Sequence, residues 1–110
     1  MNYEIFQIVL SRSQINEINS GATPEYYDLY RDTRFEPSAE QIVAAKHLYN
    51  KVAVIAANNL NEVFHIGNVG PEESIQRLAP MHSLSVGDVI VDENGVAKFV
   101  DSFGFGDVNF

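Results

Sequence analysis

Cysteine is absent from this chain. That excludes a disulfide framework, a thiolate metal site and a thiol nucleophile, and several enzyme classes go with them. Long apolar runs are missing too. The longest, Val52 to Ala57, falls far short of the roughly 20 residues a helical bilayer span needs. The N-terminal Met-Asn-Tyr-Glu-Ile-Phe has neither the basic start nor the small-residue cleavage site of a secretory signal, so the expected location is cytoplasmic and no membrane partner is expected. Basic residues are few: seven Lys and Arg stand against 15 Asp and Glu, a formal charge of −8. Residues 56 to 110 hold eight acids against Arg77 and Lys98, a balance of −6, whereas residues 1 to 55 balance at −2. Nucleic-acid binders use Lys and Arg to displace counterions, so this field disfavours direct DNA or RNA binding. A moderate negative charge also serves solubility alone. The sharper reading is an acidic surface offered to a basic partner.

What is present is enough for a core: 45% of the 110 residues are apolar, twelve of them aromatic, the usual material of one domain. Tyr3 to Leu10 is rich in Ile, Val, Phe and Tyr and reads as a strand covered on both faces. Ser11 and Gln14 form a capping box for a short helix that stops at Gly21. Thr23-Pro24-Glu25 opens another, with Thr23 as cap and proline at the first helical position. Pro37-Ser38-Ala39-Glu40-Gln41 opens what the stripe Ile42, Ala45, Leu48 and Tyr49 marks as the principal helix, residues 38 to 50. Lys51 to Ala57 reads as a central strand. Leu60 to Phe64 reads as one helical turn capped by Asn59 and Glu62, with Gly67 and Gly70 bracketing a loop. A last short helix is expected from Pro71, with Ile75 and Leu78 inward and Pro80 at its end. Val86 to Val91 and Val96 to Val100 flank Asn94-Gly95, the strongest short-range hairpin signal in the chain. The expected fold class is therefore α+β: a small, mainly antiparallel sheet with a C-terminal hairpin, the 38 to 50 helix packed on it, and short connecting helices.

Tyr26, Tyr27 and Tyr30 form a cluster that suits either a contact surface or the rim of a core. Asp28, Arg31, Asp32 and Arg34 beside it read as a solvated, mutually paired face. Gly87-Asp88 is a common entry to a strand, with glycine turning sharply and the aspartate accepting backbone N–H bonds. Ser83 and Ser85 suit similar loop-fastening work. His82 is the best single functional suspect, because its pKa range suits acid, base or ligand chemistry. A lone loop histidine is more often a hydrogen-bonded structural residue.

The segment Arg-Leu-Ala-Pro-Met-His-Ser-Leu-Ser-Val-Gly-Asp-Val-Ile-Val-Asp at 77 to 92, with Phe-Val-Asp-Ser-Phe-Gly-Phe at 99 to 105, resembles the YodL-like domain and related short proteins of bacteriophages and mobile elements. Asn61 to Asn68 and Tyr30-Arg31-Asp32 look similar too, so the likeness covers about a third of the chain. The resemblance implies a shared fold and, for a viral origin, the cytoplasm of a bacterial host. It implies no activity, because the family's members are mostly of unassigned function.

Catalytic templates fit poorly. A Ser-His-Asp set could be drawn from Ser83 or Ser85, His82 or His65, and Asp88 or Asp101, yet no nucleophile elbow is present. His65, His82 and a carboxylate lack any recognised metal-ligand spacing. Gly67, Gly70, Gly104 and Gly106 form no phosphate loop. No metal or cofactor is expected. The first functional expectation is a non-enzymatic accessory protein of phage or mobile-element type that binds another protein, such as a host factor. Its contact residues would come from His82, Tyr26, Tyr27, Tyr30, Phe103, Phe105 and Phe110, since aromatics dominate interface hot spots, although the motif suggests that Phe103 and Phe105 are core. The alternative is an acidic nucleic-acid mimic, or a module associated with DNA- or RNA-handling proteins. A third is an enzyme built around His82.

Overall fold

A computed structural model describes residues 1–110. Its centre is one six-stranded sheet, and every neighbouring pair of strands is antiparallel. In chain order the strands are β1 (Asn2–Gln7), β2 (Asn50–Ala56), β3 (Ile75–Arg77), β4 (Val89–Val91), β5 (Ala97–Asp101) and β6 (Gly104–Val108), arranged across the sheet as β3-β2-β1-β4-β5-β6. Four helices join them: α1 (Arg12–Asn19), α2 (Glu25–Phe35), α3 (Ala39–Ala44) and α4 (Leu60–Val69). The α+β class and the C-terminal hairpin are as the sequence led us to expect.

Both faces of the sheet are covered, and period-2 alternation divides the core between them. Tyr3, Ile5, Ile55, Ile90 and Val100 pack with Val63 and Ile66 of α4 on one face. Val89, Ala97, Phe99 and Val108 pack with Ile42, Ala45 and Tyr49 on the other, where Phe6, Leu29 and Tyr30 close the rim. Ile5 and Ile90 face each other across β1 and β4 and are wholly buried. At roughly 25 cal/mol per Å² of apolar surface, each such side chain stabilises the fold by about 2 kcal/mol over exposure.

Several helix boundaries differ from the sequence reading. The 38 to 50 segment is not one helix. It turns helically only over α3, tightens to a 3-10 turn at Lys46–Leu48, and Asn50 already belongs to β2. Its expected stripe is nonetheless inward, with Ile42, Ala45 and Tyr49 buried. The longest helix is α2, which buries only Thr33 fully and therefore lacks the apolar stripe that would have announced it. Pro24, not Thr23, stands at its N-cap, with no side-chain hydrogen bond. The Ser11–Gln14 capping box forms as expected, at 3.1 and 2.8 Å.

α4 extends well past Phe64, through a glycine that looked like a loop. Gly67 sits where the Leu84 side chain packs against the helix, and a Cβ there would lie 2.6 Å from Leu84 Cδ1. The glycine is a packing gap, and the helix ends at Gly70, whose φ of 99° suits glycine. The helix expected after Pro71 shrinks to a 3-10 turn at Glu72–Ser74, because Ile75 to Arg77 pairs with Ile55 to Ala53 as an edge strand. Leu78, expected inward, is half exposed.

The Asn94-Gly95 hairpin joins β4 to β5, with Val91 opposite Ala97 and Val89 opposite Phe99. Only Gly95 takes a positive φ, 82°. Gly95 N–H donates to Asp92 O at 3.0 Å and the Asp92 carboxylate accepts from the Asn94 and Val96 amides. This is a three-residue loop closed by a left-handed glycine, rather than a two-residue turn with both residues at positive φ.

Candidate functional site

Polar residues on inward faces demand partners, and one group of them concentrates where the loop before β4 meets α2 and β1. Residues Ser85-Val86-Gly87-Asp88 make a tight turn, with Asp88 N–H donating to Ser85 O at 3.1 Å and Gly87 at φ 92°. A positive φ at the third position is the signature of a type II turn. Glycine is required there twice over, since a Cβ on Gly87 would lie 2.3 Å from the Thr33 carbonyl oxygen. The turn directs the Asp88 carboxylate inward, where it is fully buried.

Asp88 Oδ2 accepts from the Ser85 amide at 2.9 Å and from Gln7 Nε2 at 3.0 Å. Arg34 Nη1 stands 3.3 Å from Oδ1 and forms the ion pair, although Oδ1 makes no aligned hydrogen bond. The same guanidinium donates to Ser85 Oγ at 2.5 Å and Val86 O at 2.9 Å, and lies over the Tyr30 ring at 5.1 Å. Gln7 also clasps the backbone of His82, donating to its carbonyl at 2.9 Å and accepting from its N–H at 3.2 Å. Behind the turn, the Tyr49 hydroxyl donates to Gly87 O at 2.5 Å. Burial pushes the Asp88 carboxyl up from the ordinary carboxylate range, against the pull of Arg34 first and then of the Ser85 amide, His82 and Gln7. Burial also pushes the Tyr49 hydroxyl up, so that it remains a donor.

His82 belongs to this cluster. Its Nδ1 lies 2.8 Å from Ser83 O, and a carbonyl only accepts, so Nδ1 carries the hydrogen. Nε2 is therefore the acceptor, and it lies 3.0 Å from Arg34 Nη2. Both ring nitrogens are engaged, and neither touches a hydroxyl. The Ser85 hydroxyl accepts from Arg34 instead, so the Ser-His-Asp arrangement that can be drawn from the sequence does not assemble. The outer side of His82 borders a depression of about 460 Å³ with Gly67, Glu72, Arg77 and Ser83. Glu72 and Arg77 there form their own two-bonded pair. His65 is exposed on α4, and no group of three or more His, Asp or Glu side chains could hold a metal ion.

Arg34 was expected on a solvated face and is instead the hub of the cluster, its side chain only 15% exposed. It is the last basic residue of α2, one turn beyond Tyr30, and the loop it holds is distant in sequence. Nothing local distinguishes it from Arg31, which does pair with Asp28 in the expected exposed way, at 3.4 Å. The sequence reading also missed Gln7, although a signal was there: Tyr3, Ile5 and Gln7 are the buried positions of one alternating strand, which gives a buried amide hydrogen-bonding needs.

The aromatic candidates divide. Tyr26, Tyr27 and Tyr30 are all half-buried. Tyr26 donates to Gln14 O of α1 at 3.4 Å, Tyr27 lies beneath Arg31 at 5.9 Å, and Tyr30 closes the core rim. Phe110 is partly buried against the core, with its ring 5.2 Å from Phe6 and 5.3 Å from Tyr49. Phe105 is half-buried against the α4 side of the core. Phe103, which the motif suggested was core, is fully exposed, because it occupies the turn between β5 and β6 where neither face of the sheet can cover it. Near it, Phe64 of α4, Val100 and Phe105 line a groove of about 230 Å³ that also includes Asp101 and Gly104. A second groove of about 480 Å³ shares Phe105 and Asn61 and runs on to Leu60, Val96 and Lys98.

Comparison with protein-family models, curated proteins and solved structures finds no match. No helix is long and apolar enough to cross a membrane.

Proposed function

We propose that this chain is a non-enzymatic accessory protein, of the phage or mobile-element kind its motif resembles, that acts in the cytoplasm by binding another protein. The contact surface is the tip of the β5–β6 hairpin with the adjoining grooves beside α4. One observation carries the reading: Phe103 is fully exposed at the hairpin tip, between Ser102 and Gly104, which line a groove with Phe64. An aromatic ring held in water contributes nothing to the fold, whereas a desolvated ring is a strong anchor at an interface. The Arg34–Asp88–His82 cluster supports the same reading from the other side. Its polar groups bind one another and fasten α2, β1 and the loop before β4, which is architectural work.

The acidic C-terminal half favours a basic partner and opposes nucleic acid, because eight acids against two bases in residues 56 to 110 run against counterion release. That same charge is the observation behind a second reading, an acidic mimic that occupies the nucleic-acid site of a DNA- or RNA-handling protein. Capture from the source cells with the wild-type protein and with Phe103→Asp tests the first reading: one partner should be retained by the wild type and lost by the variant. A partner held equally by both, and released by added DNA, would favour the mimic. Gel shifts at physiological salt should show no complex with single-stranded or duplex nucleic acid, and sub-micromolar binding to either would overturn both readings.

A further inference from the structure

The two edges of the sheet differ. β3, at one edge, is three residues long and ends on Arg77, and a short, charged strand is a common way of blunting an edge. β6, at the other, has five residues, two of them glycine, and neither proline nor lysine. Val100 fixes which backbone groups of β6 are free. Its N–H donates to Asp88 O at 2.8 Å and its carbonyl accepts from Gly87 N–H at 2.9 Å, so its backbone groups point away from β6. Directions alternate along a strand, so Phe99 and Asp101 bond towards β6, to their opposites Gly106 and Gly104. Phe105 and Asp107 therefore turn both their N–H and C=O groups outward, where the sheet has no further strand and no loop backbone reaches them.

The space along this edge is apolar on both sides. On one face Ala39, Val43 and Ala44 of α3 form a groove of about 440 Å³ with Asn109, and Val43 is nearly half exposed. On the other face lies the groove of Phe64 and Phe105. A strand added to β6 would send alternate side chains to each. Charge decides what kind of strand. From Val89 onward the acids are Asp92, Glu93, Asp101 and Asp107, and the one base, Lys98, is already paired with Asp107. A second copy of this chain, pairing β6 with β6, would bring the Asp107 carboxylates onto adjoining strands and set two acidic halves together, which disfavours it.

We infer that the β6 edge, between α3 and α4, accepts an extended Lys- or Arg-bearing segment of a partner protein as a seventh strand. Main-chain bonds to Phe105 and Asp107 hold the segment, and the two grooves read its side chains. The inference rests on the protein-binding reading above and narrows it to one edge. A displayed library of random ten-residue peptides, selected on the wild-type protein, tests it. Selected peptides should alternate β-branched or aromatic residues with Lys or Arg, and should slow hydrogen exchange at the Phe105 and Asp107 amides. They should bind Asp107→Pro about tenfold more weakly, one lost hydrogen bond, since an edge strand tolerates proline but loses the outward N–H. Asp107→Asn, which keeps that N–H, should lose less. Peptides that leave both amides unprotected overturn the edge assignment, and if they still require Phe103 the protein-binding reading survives. A library that yields no binders also overturns it, with capture by Phe103→Asp left to judge the broader reading. A dimer of the protein alone with these two amides protected would overturn it in favour of self-pairing.

Discussion

Replacing Arg34 by alanine removes the counter-charge of a fully buried carboxylate and the donors to Ser85 Oγ, Val86 O and His82 Nε2 in one step. Breaking a buried pair from one side costs about 3–5 kcal/mol, because the remaining charge is stranded. A domain of this size has a total stability of about 5–15 kcal/mol, so the loss is about a fifth of it or more. At a urea m-value near 2 kcal/mol/M the midpoint should fall by on the order of 2 M. Asp88→Asn keeps the shape and removes the charge, and the double variant Arg34→Ala/Asp88→Asn should be less destabilised than the two single losses summed, by about 1–3 kcal/mol. The pH dependence has a definite sign. Burial raises the folded-state pKa of Asp88 above its ordinary value near 3.8. A carboxyl shifted upward holds its proton more tightly folded than unfolded, so its contribution to stability is present below the ordinary value and lost as the pH rises through the folded one. Removing Arg34 moves that folded value further up. The cost of Arg34→Ala should therefore be greatest at neutral pH and shrink on acidification towards the ordinary carboxyl range. Equilibrium urea unfolding at several pH values measures it. A loss below about 1 kcal/mol at pH 7, the range of an exposed pair, would refute the reasoning.

Gly87→Ala should cost more than Gly95→Val in the same assay. Both residues sit at positive φ, but a side chain at Gly95 meets open space, whereas one at Gly87 meets the Thr33 backbone at 2.3 Å. Strain alone sets the Gly95 cost at about 1–2 kcal/mol, and equal losses would contradict the close approach. Tyr49→Phe should lower stability by about 1–3 kcal/mol, because it leaves the Gly87 carbonyl buried without its donor; a neutral result in thermal melts would show that water replaces the hydroxyl. His82→Ala should lower stability by about 1–2 kcal/mol through the loss of its bonds to Arg34 and Ser83, while partner binding stays intact.

The strands were legible in the sequence because their alternation and β-branched content report burial directly. The expected Lys51 to Ala57 and Val96 to Val100 strands form within a residue of their bounds, but Tyr3 to Leu10 stops at Gln7, and of Val86 to Val91 only Val89 onward is strand, because Ser85 to Asp88 is a turn. Helices were legible at their starts, where Ser11, Ser38 and Asn59 each accept the amide three residues on. Their ends were not. α3 stops early because Tyr49 is turned towards Gly87, α4 runs on because Gly67 makes room for Leu84, and Ile75 to Arg77 becomes strand because β2 offers an open edge. Each depends on a neighbour remote in the chain. The same is true of the polar cluster. Gln7 and Asp88 carry local signals, an alternating inward position and a Gly-Asp strand entry, but Arg34 acquires its place only when α2 docks over the loop before β4. Phe103 is a candidate contact for which the motif favours burial; the hairpin register places it in a two-residue turn, where it is exposed.

The measurement that bears most directly on the whole account is the affinity of a captured partner for three folded proteins: wild type, Phe103→Asp and His82→Gln. Phe103 touches no core cluster, so its substitution should leave the melting temperature unchanged and abolish binding, while His82→Gln should bind as the wild type does. A Phe103→Asp variant that binds normally, beside a folded His82→Gln variant that does not, would contradict it.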